Sequence, residues 1–238
     1  MDLGKEFIKY ATKDRGFSKM HIEKYLRTTV PDIHSFTPQV IEERQMNVVG
    51  MDVFSRLMMD RIIFLGVPIN DYVANVIQAQ LLFLESADPN RDVQMFINSP
   101  GGSVIPGLGI YDTMQYIEPQ VATICTGLAA SMSAVLLAAG QKGKRTALHH
   151  SRIMIHQPMG GMQGQVTDME ISYNLIKDLQ KELYEILSLH TGKPYKTIEK
   201  DCDRDNWMKA DEALEYGIVD EVIKINKQGP KSKNTDKA

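Results

Sequence analysis

Cysteine is scarce: Cys125 and Cys202 are the only two, too few for a disulfide framework and without the CxxC or histidine spacing of a metal site. A reducing cytoplasm fits that usage. No basic excess exists either, since 27 Lys+Arg face 30 Asp+Glu for a net charge of −3. Nucleic-acid binding needs a phosphate-neutralising surface, so DNA and RNA are unexpected partners. The chain has no Walker loop, GxGxxG, HExxH or CxxC pair, so no cofactor or metal is expected. Its first residues carry charges every few positions and hold no apolar stretch of signal-peptide length, so secretion is not indicated.

What is present is globular. The 238 residues are 43% hydrophobic and 24% charged, enough for one large domain with appended segments and a sizeable core. Between Glu118 and Lys142 no residue is charged, which is long enough to cross a bilayer. Gln120, Thr123, Thr126, Ser131, Ser133 and Gln141 interrupt it, Gly127 breaks it, and β-branched residues open it. A buried strand followed by a buried helix is therefore expected, with no membrane partner.

Residues 1–36 read as an N-terminal extension or propeptide, 37–225 as the main domain, and 226–238 as a disordered tail containing Gly229-Pro230 and four lysines. Strand-like stretches at Val40–Arg44 and Arg61–Leu65 flank a helical turn. Asn70 is placed to cap a helix reaching about Ser86, with Val73, Val76, Ile77, Leu81 and Leu84 inward. A strand at Val93–Asn98, a Pro100-Gly101-Gly102 turn and a helix at Val104–Ile117 follow. Next come a strand at 121–125, a helix at 131–139, and strands at 145–149 and 152–156. The alternation predicts βαβ units and a largely parallel, covered sheet.

A long helix is expected from Thr167 to His190, opened by the capping box Thr167-Asp168-Met169-Glu170 and closed by Gly192. Met169, Ile176 and Leu183 recur every seven residues, with Leu179 and Ile186 between them. So narrow a seam packs either on its own domain or on a second copy. A polar Asp-rich link, a short helix and a last strand at Ile218–Ile223 complete the chain.

Polar side chains inside apolar elements mark where chemistry can live, because burying them is costly unless they are paired. Ser131 opens a helix directly after a buried strand, beside helix N-terminal N–H groups able to hold an oxyanion; a simple cap is the alternative. The GxSxG elbow is not present, since Ala129 and Ser133 flank Ser131. His156 closes an apolar strand before a Gly/Pro loop, where a base would sit, although a lone histidine there is more often just hydrogen-bonded. His149 and His150 rank lower because they lie at a turn. Gly101-Gly102 offers unobstructed backbone N–H groups. Asp168, Asp201, Asp203, Asp205, Asp211 and Asp220 all remain open as a carboxylate partner for the histidine.

Taken together, INSPGGSVIPGLGIYDTMQ, TGLAASMSAVLLAAG, KGKR, SRIMIHQPMGG and EKDCDRDNWMKADEALEYGIVD resemble, in order, the blocks of the ClpP caseinolytic serine peptidase family, over about residues 38 to 224. The resemblance implies an α/β fold, the ClpP/crotonase-like superhelix of βαβ units with a projecting handle helix. It also implies a serine endopeptidase with Ser131 as nucleophile, His156 as general base and Asp205 as orienting carboxylate, and an oxyanion hole from the N–H groups of Gly102 and Met132. It further implies two stacked seven-membered rings joined through the handle, a strand at Gly160–Val166 that binds unfolded polypeptide by β-addition, and a cytoplasmic AAA+ unfoldase such as ClpX, ClpC or ClpA. Departures from the family pattern are Leu128 and Ser133 near the nucleophile and Gln94 in the unfoldase-receiving pocket, where Phe96 and Tyr116 keep their aromatics. A crotonase-type acyl-CoA enzyme and a non-catalytic ring subunit are the other classes compatible with the pattern.

Overall fold

The computed structural model describes residues 39–44, 47–161 and 163–224; the expected extension at 1–36 and tail at 226–238 lie outside them. The chain divides into two compact units, Met1–Arg56 and Leu57–Ala238. In the first, β1 (Gln39–Arg44) and β2 (Asn47–Asp52) form an antiparallel hairpin. Asp52 accepts hydrogen bonds from the Phe54 and Ser55 backbone N–H groups, capping α1 (Val53–Met59). The sequence pattern showed one strand here; β2 was not expected because VVGMD lacks clean alternation.

The second unit holds a sheet of β3 (Ile62–Leu65), β4 (Val93–Ser99), β5 (Val121–Ala130), β6 (Arg145–Leu148), β7 (Arg152–Ile155), β8 (Asn206–Lys209) and β9 (Glu221–Ile223). Its helices are α2 (Asp71–Ala87), α3 (Val104–Tyr116), α4 (Met132–Ala138), α5 (Val166–Thr191), α6 (Tyr195–Asp201) and α7 (Ala210–Tyr216). Strands run β3-β4-β5-β6-β9, all parallel, as βαβ crossovers require. The long β5 takes two neighbours in succession: Thr123–Cys125 pair with β6, and Leu128–Ala130 pair with β7. β8 then pairs antiparallel with β7. The expected strand at 121–125 is thus half of the real one, because Gly127 lets β5 continue past Asn98, whose side chain accepts from Leu128 N–H.

Helix α2 starts where its cap dictates, with Asn70 Oδ1 accepting from Val73 N–H at 2.9 Å. Ala74, Ile77, Leu81 and Leu84 are buried while Val76 is exposed, one position off the expected inner stripe. Its C-terminal end meets buried Arg61, whose guanidinium donates to the carbonyls of Leu84, Arg91 and Asp92. Among the described residues no helix is long and apolar enough to cross a membrane, and the charge-free stretch is β5 plus buried α4.

Two expectations about α5 need correction. The helix begins at Val166 with Gln165 as cap, so Thr167 lies inside the first turn and forms no capping box. The described residues between Gly160 and Val166 form no strand, because the helix consumes the end of that segment and Gly164, at φ +138°, breaks extended geometry. Gly192 does end the helix in left-handed geometry, φ 74°. Leu183, Tyr184 and Leu187 are buried, whereas Val166, Ile171, Tyr173 and Leu175 are exposed. Only the C-terminal half of the seam packs on its own unit. The Asp-rich link contains α6 and β8, both unforeseen because polar residues outnumber apolar ones there.

Candidate active site

Three strand ends converge. Ser131 is the residue between β5 and α4 and holds φ 55°, ψ −127°, a conformation few non-glycine residues adopt. Its backbone is fixed on both sides: N–H donates to Met154 O in β7 at 2.8 Å, and its carbonyl accepts from Ala134 N–H at 2.9 Å. The strained turn presents the hydroxyl to the residue that follows β7. His156 follows β7, and Asp205 immediately precedes β8. Since Ile155 pairs with Asn206 in the antiparallel ladder, the residues just beyond that pair are neighbours although 49 positions separate them.

The side chains meet. Ser131 Oγ lies 2.9 Å from His156 Nε2, and His156 Nδ1 lies 3.0 Å from Asp205 Oδ1. The histidine side chain is 11% exposed and the aspartate 60%. This order fixes the tautomer: Nδ1–H donates to the carboxylate, leaving Nε2 to accept the serine proton. Of the six aspartates left open by sequence, Asp205 reaches the imidazole; Asp201 instead accepts from Tyr216 Oη, and Asp220 pairs with Arg145. His149 and His150 stack edge to face on each other in an exposed turn.

The glycine turn lies against Ser131. A Cβ on Gly101, at φ +88°, would strike the Ala130 carbonyl and approach Ser131 Cβ at 2.8 Å and Met132 N at 2.9 Å. Gly102 forms a parallel bridge with Ile69, in which Ile69 N–H donates to Gly101 O and Ser103 N–H donates to Ile69 O. In that pattern the N–H of Gly102 points to the opposite edge. A groove lined by Met132, Val135, Ile155, Leu183, Tyr184 and Leu187 opens beside Ser131 and His156, giving the site an apolar side wall.

Sequence reasoning missed two supports. Buried Ser133 donates its hydroxyl toward the carbonyls of Ser99 and Ala130. Arg145, also buried, makes two side-chain hydrogen bonds to Asp220 and donates to the carbonyls of Ala138 and His190, joining the C-terminal ends of α4 and α5. An arginine between a glycine turn and a strand was the available signal. Burial works to raise the Asp220 pKa, but the hydrogen bonds and charge of Arg145 outweigh it and hold the carboxyl below its usual range. Burial, then the charge of Arg145, lower the pKa of His190. Burial pushes the Cys202 thiol up to about 12 and also raises that of Cys125, so both cysteines stay protonated and unreactive. Among the described residues no cluster of three or more His, Cys, Asp or Glu side chains could hold a metal.

A family model described as Clp protease matches residues 44–226. The chain belongs to the Clp protease family. It is 61% identical over 223 residues to an ATP-dependent Clp protease proteolytic subunit of Porphyromonas gingivalis, covering 94% of this chain and 99% of that protein. A protein of the same description from Bacteroides fragilis strain YCH46 is 58% identical over 218 residues, covering 92% and 98%. Another, from B. fragilis strain ATCC 25285, is 63% identical over 186 residues, covering 78% and 90%. The mixed α/β architecture of a sheet with helices, α5 the longest at 26 residues among those described, is consistent with Clp protease membership.

Proposed function

We propose that this Clp protease family member is the proteolytic subunit of an ATP-dependent Clp protease, a serine endopeptidase in which Ser131, His156 and Asp205 carry the reaction. The observation that carries the residue assignment is the hydrogen-bonded run Ser131 Oγ, His156 Nε2, His156 Nδ1, Asp205 Oδ1 at 2.9 and 3.0 Å. Ser131 Oγ attacks the peptide carbonyl as His156 Nε2 takes its proton; the protonated imidazole then delivers that proton to the departing amine. Asp205 holds the tautomer and balances the imidazolium charge. Water repeats the cycle on the acyl-enzyme and frees Ser131. The oxyanion would be held by the N–H groups of Gly102 and Met132, a role supported by the direction of the Gly102 amide and the closeness of the Gly101 turn to Met132 N. The apolar wall beside Ser131 and His156 supports a preference for an apolar side chain before the cleaved bond.

Family members assemble into rings and work with AAA+ unfoldases. For this chain we extend that to two stacked heptameric rings joined through α5, served in the cytoplasm by an unfoldase of the ClpX, ClpC or ClpA kind that threads unfolded polypeptide inward. The exposed apolar residues on the outer half of α5 support such packing. Incubating the assembled protein with a fluorophosphonate probe tests the chemistry. Labelling confined to Ser131, and lost in Ser131→Ala and His156→Ala, is expected; undiminished labelling or peptide cleavage in Ser131→Ala overturns the assignment.

A further inference from the structure

Asp205 is the most exposed member of the hydrogen-bonded run and stands in the short connection from α6 to β8, so its position depends on what holds that connection. On one side Asn206 is fixed by its ladder pairing with Ile155. On the other, Gln157 grips the connection twice: its backbone N–H donates to Cys202 O at 2.6 Å, and its side-chain Nε2 donates to Asp203 O at 2.7 Å. The two residues flanking His156 thus hold the two flanks of Asp205. Gln157 has a third contact, since its Oε1 accepts from Gln180 Nε2 on α5 at 3.3 Å. Gln180 also donates to the hydroxyl of buried Tyr184 at 3.1 Å and accepts from Lys177 Nζ at 2.8 Å. Tyr184 lines the groove beside Ser131.

We infer that Gln157 is a positioning residue: it holds Asp205 against His156 and, through Gln180, makes that hold depend on the seating of α5. The inference rests on the assignment of Asp205 as the orienting carboxylate. Gln157 need not touch substrate. A glutamine suits the position because one planar amide gives a donor to the α6–β8 connection and an acceptor to the helix at once. If the connection moves by an ångström, the carboxylate leaves hydrogen-bond reach and the imidazole loses its orientation. Leucine keeps a side chain of moderate size and removes both side-chain bonds, while the backbone N–H bond to Cys202 O stays.

The test is a double-mutant cycle on kcat for a short fluorogenic peptide, with assembly of each variant checked by size-exclusion chromatography. Gln157→Leu is expected to lower kcat about tenfold, the scale of one well-placed hydrogen bond, with KM changed less than about twofold. Asp205→Ala is expected to lower kcat by about 10³ to 10⁴. Added to Asp205→Ala, Gln157→Leu should cost less than about twofold, because a residue acting through Asp205 has nothing left to position. An equal loss in both backgrounds, or no loss in the wild-type background, overturns the inference. Full activity of Asp205→Ala instead overturns the assignment beneath it. Should Gln157→Leu fail to assemble, Gln180→Leu is the substitute, expected to lower kcat about threefold by removing one weaker tie; the same loss in the Asp205→Ala background, or none in the wild type, counts against the inference.

Discussion

Ser133 donates its buried hydroxyl to the carbonyl oxygen of Ser99 at 2.7 Å, tying the first turn of α4 to the end of β4. Ala130 O, 2.8 Å away, shares the same donor. The tie joins the end of β4, just before the Gly101-Gly102 turn, to the chain on either side of Ser131. Ser133→Ala leaves these buried carbonyls short of a donor and is expected to lower stability by about 1–3 kcal/mol. Denaturant unfolding of the assembled protein measures it; stability equal to wild type would show that the tie contributes nothing.

Gly102 is held at φ +149°, and a Cβ there would collide with the backbone of Ile69. Gly102→Ala is therefore expected to displace its N–H and lower peptide turnover by about 10²- to 10³-fold, as loss of one oxyanion donor does. Steady-state kinetics on protein shown by circular dichroism to be folded checks this. Wild-type turnover in the variant would remove Gly102 from the hole.

The strained backbone of Ser131 is separable from its hydroxyl. Ser131→Ala and Ser131→Gly both remove the hydroxyl, but only glycine relaxes φ 55°. The glycine variant is expected to be more stable than the alanine variant by about 1–2 kcal/mol, judged by urea midpoints. Equal midpoints would mean that no strain is stored at this position.

Acid should weaken the fold in two stages. His190, its pKa lowered by burial and Arg145, resists a proton that the unfolded chain accepts below about pH 6.5. Stability therefore falls as pH drops below that value, until folded His190 is also protonated; His190→Gln should flatten this stage. Asp220 shifts in the same direction for a different reason: burial works against its charge, but the hydrogen bonds and charge of Arg145 outweigh it and depress the folded pKa. Its contribution is whole above about pH 3.9 and is lost as pH falls through the folded value. Denaturant titrations from pH 8 to pH 3 test both, and a flat profile between pH 7 and pH 5 contradicts the His190 prediction.

The parts of the fold that sequence disclosed are those where one local signal dominates. Asn70 announced α2 because a cap with an apolar stripe behind it leaves few alternatives. Pro100-Gly101-Gly102 announced a turn for a similar reason. Elements that depend on distant partners were hidden: β8 exists because Trp207 and Met208 pair across to Met154 and Ile153, and nothing within NWMK states that. Thr167 and Glu170 have the spacing of a capping box, yet the helix starts at Val166, since spacing alone does not say which residue leaves helical geometry. At the site, Ser131 and His156 stood out as polar groups beside apolar elements, whereas Asp205 was one acid among six. Only the ladder between β7 and β8, or the family resemblance, singles it out.

The outer half of α5 leaves Ile171, Tyr173 and Leu175 uncovered on a single chain. A newly synthesised monomer is consequently adhesive before it is useful, and the time it spends so grows with dilution, because meeting another copy is a collision between molecules. Where further copies are scarce, that face stays open longest to any other apolar surface it meets, so the unassembled subunit is the form expected to be captured by foreign partners.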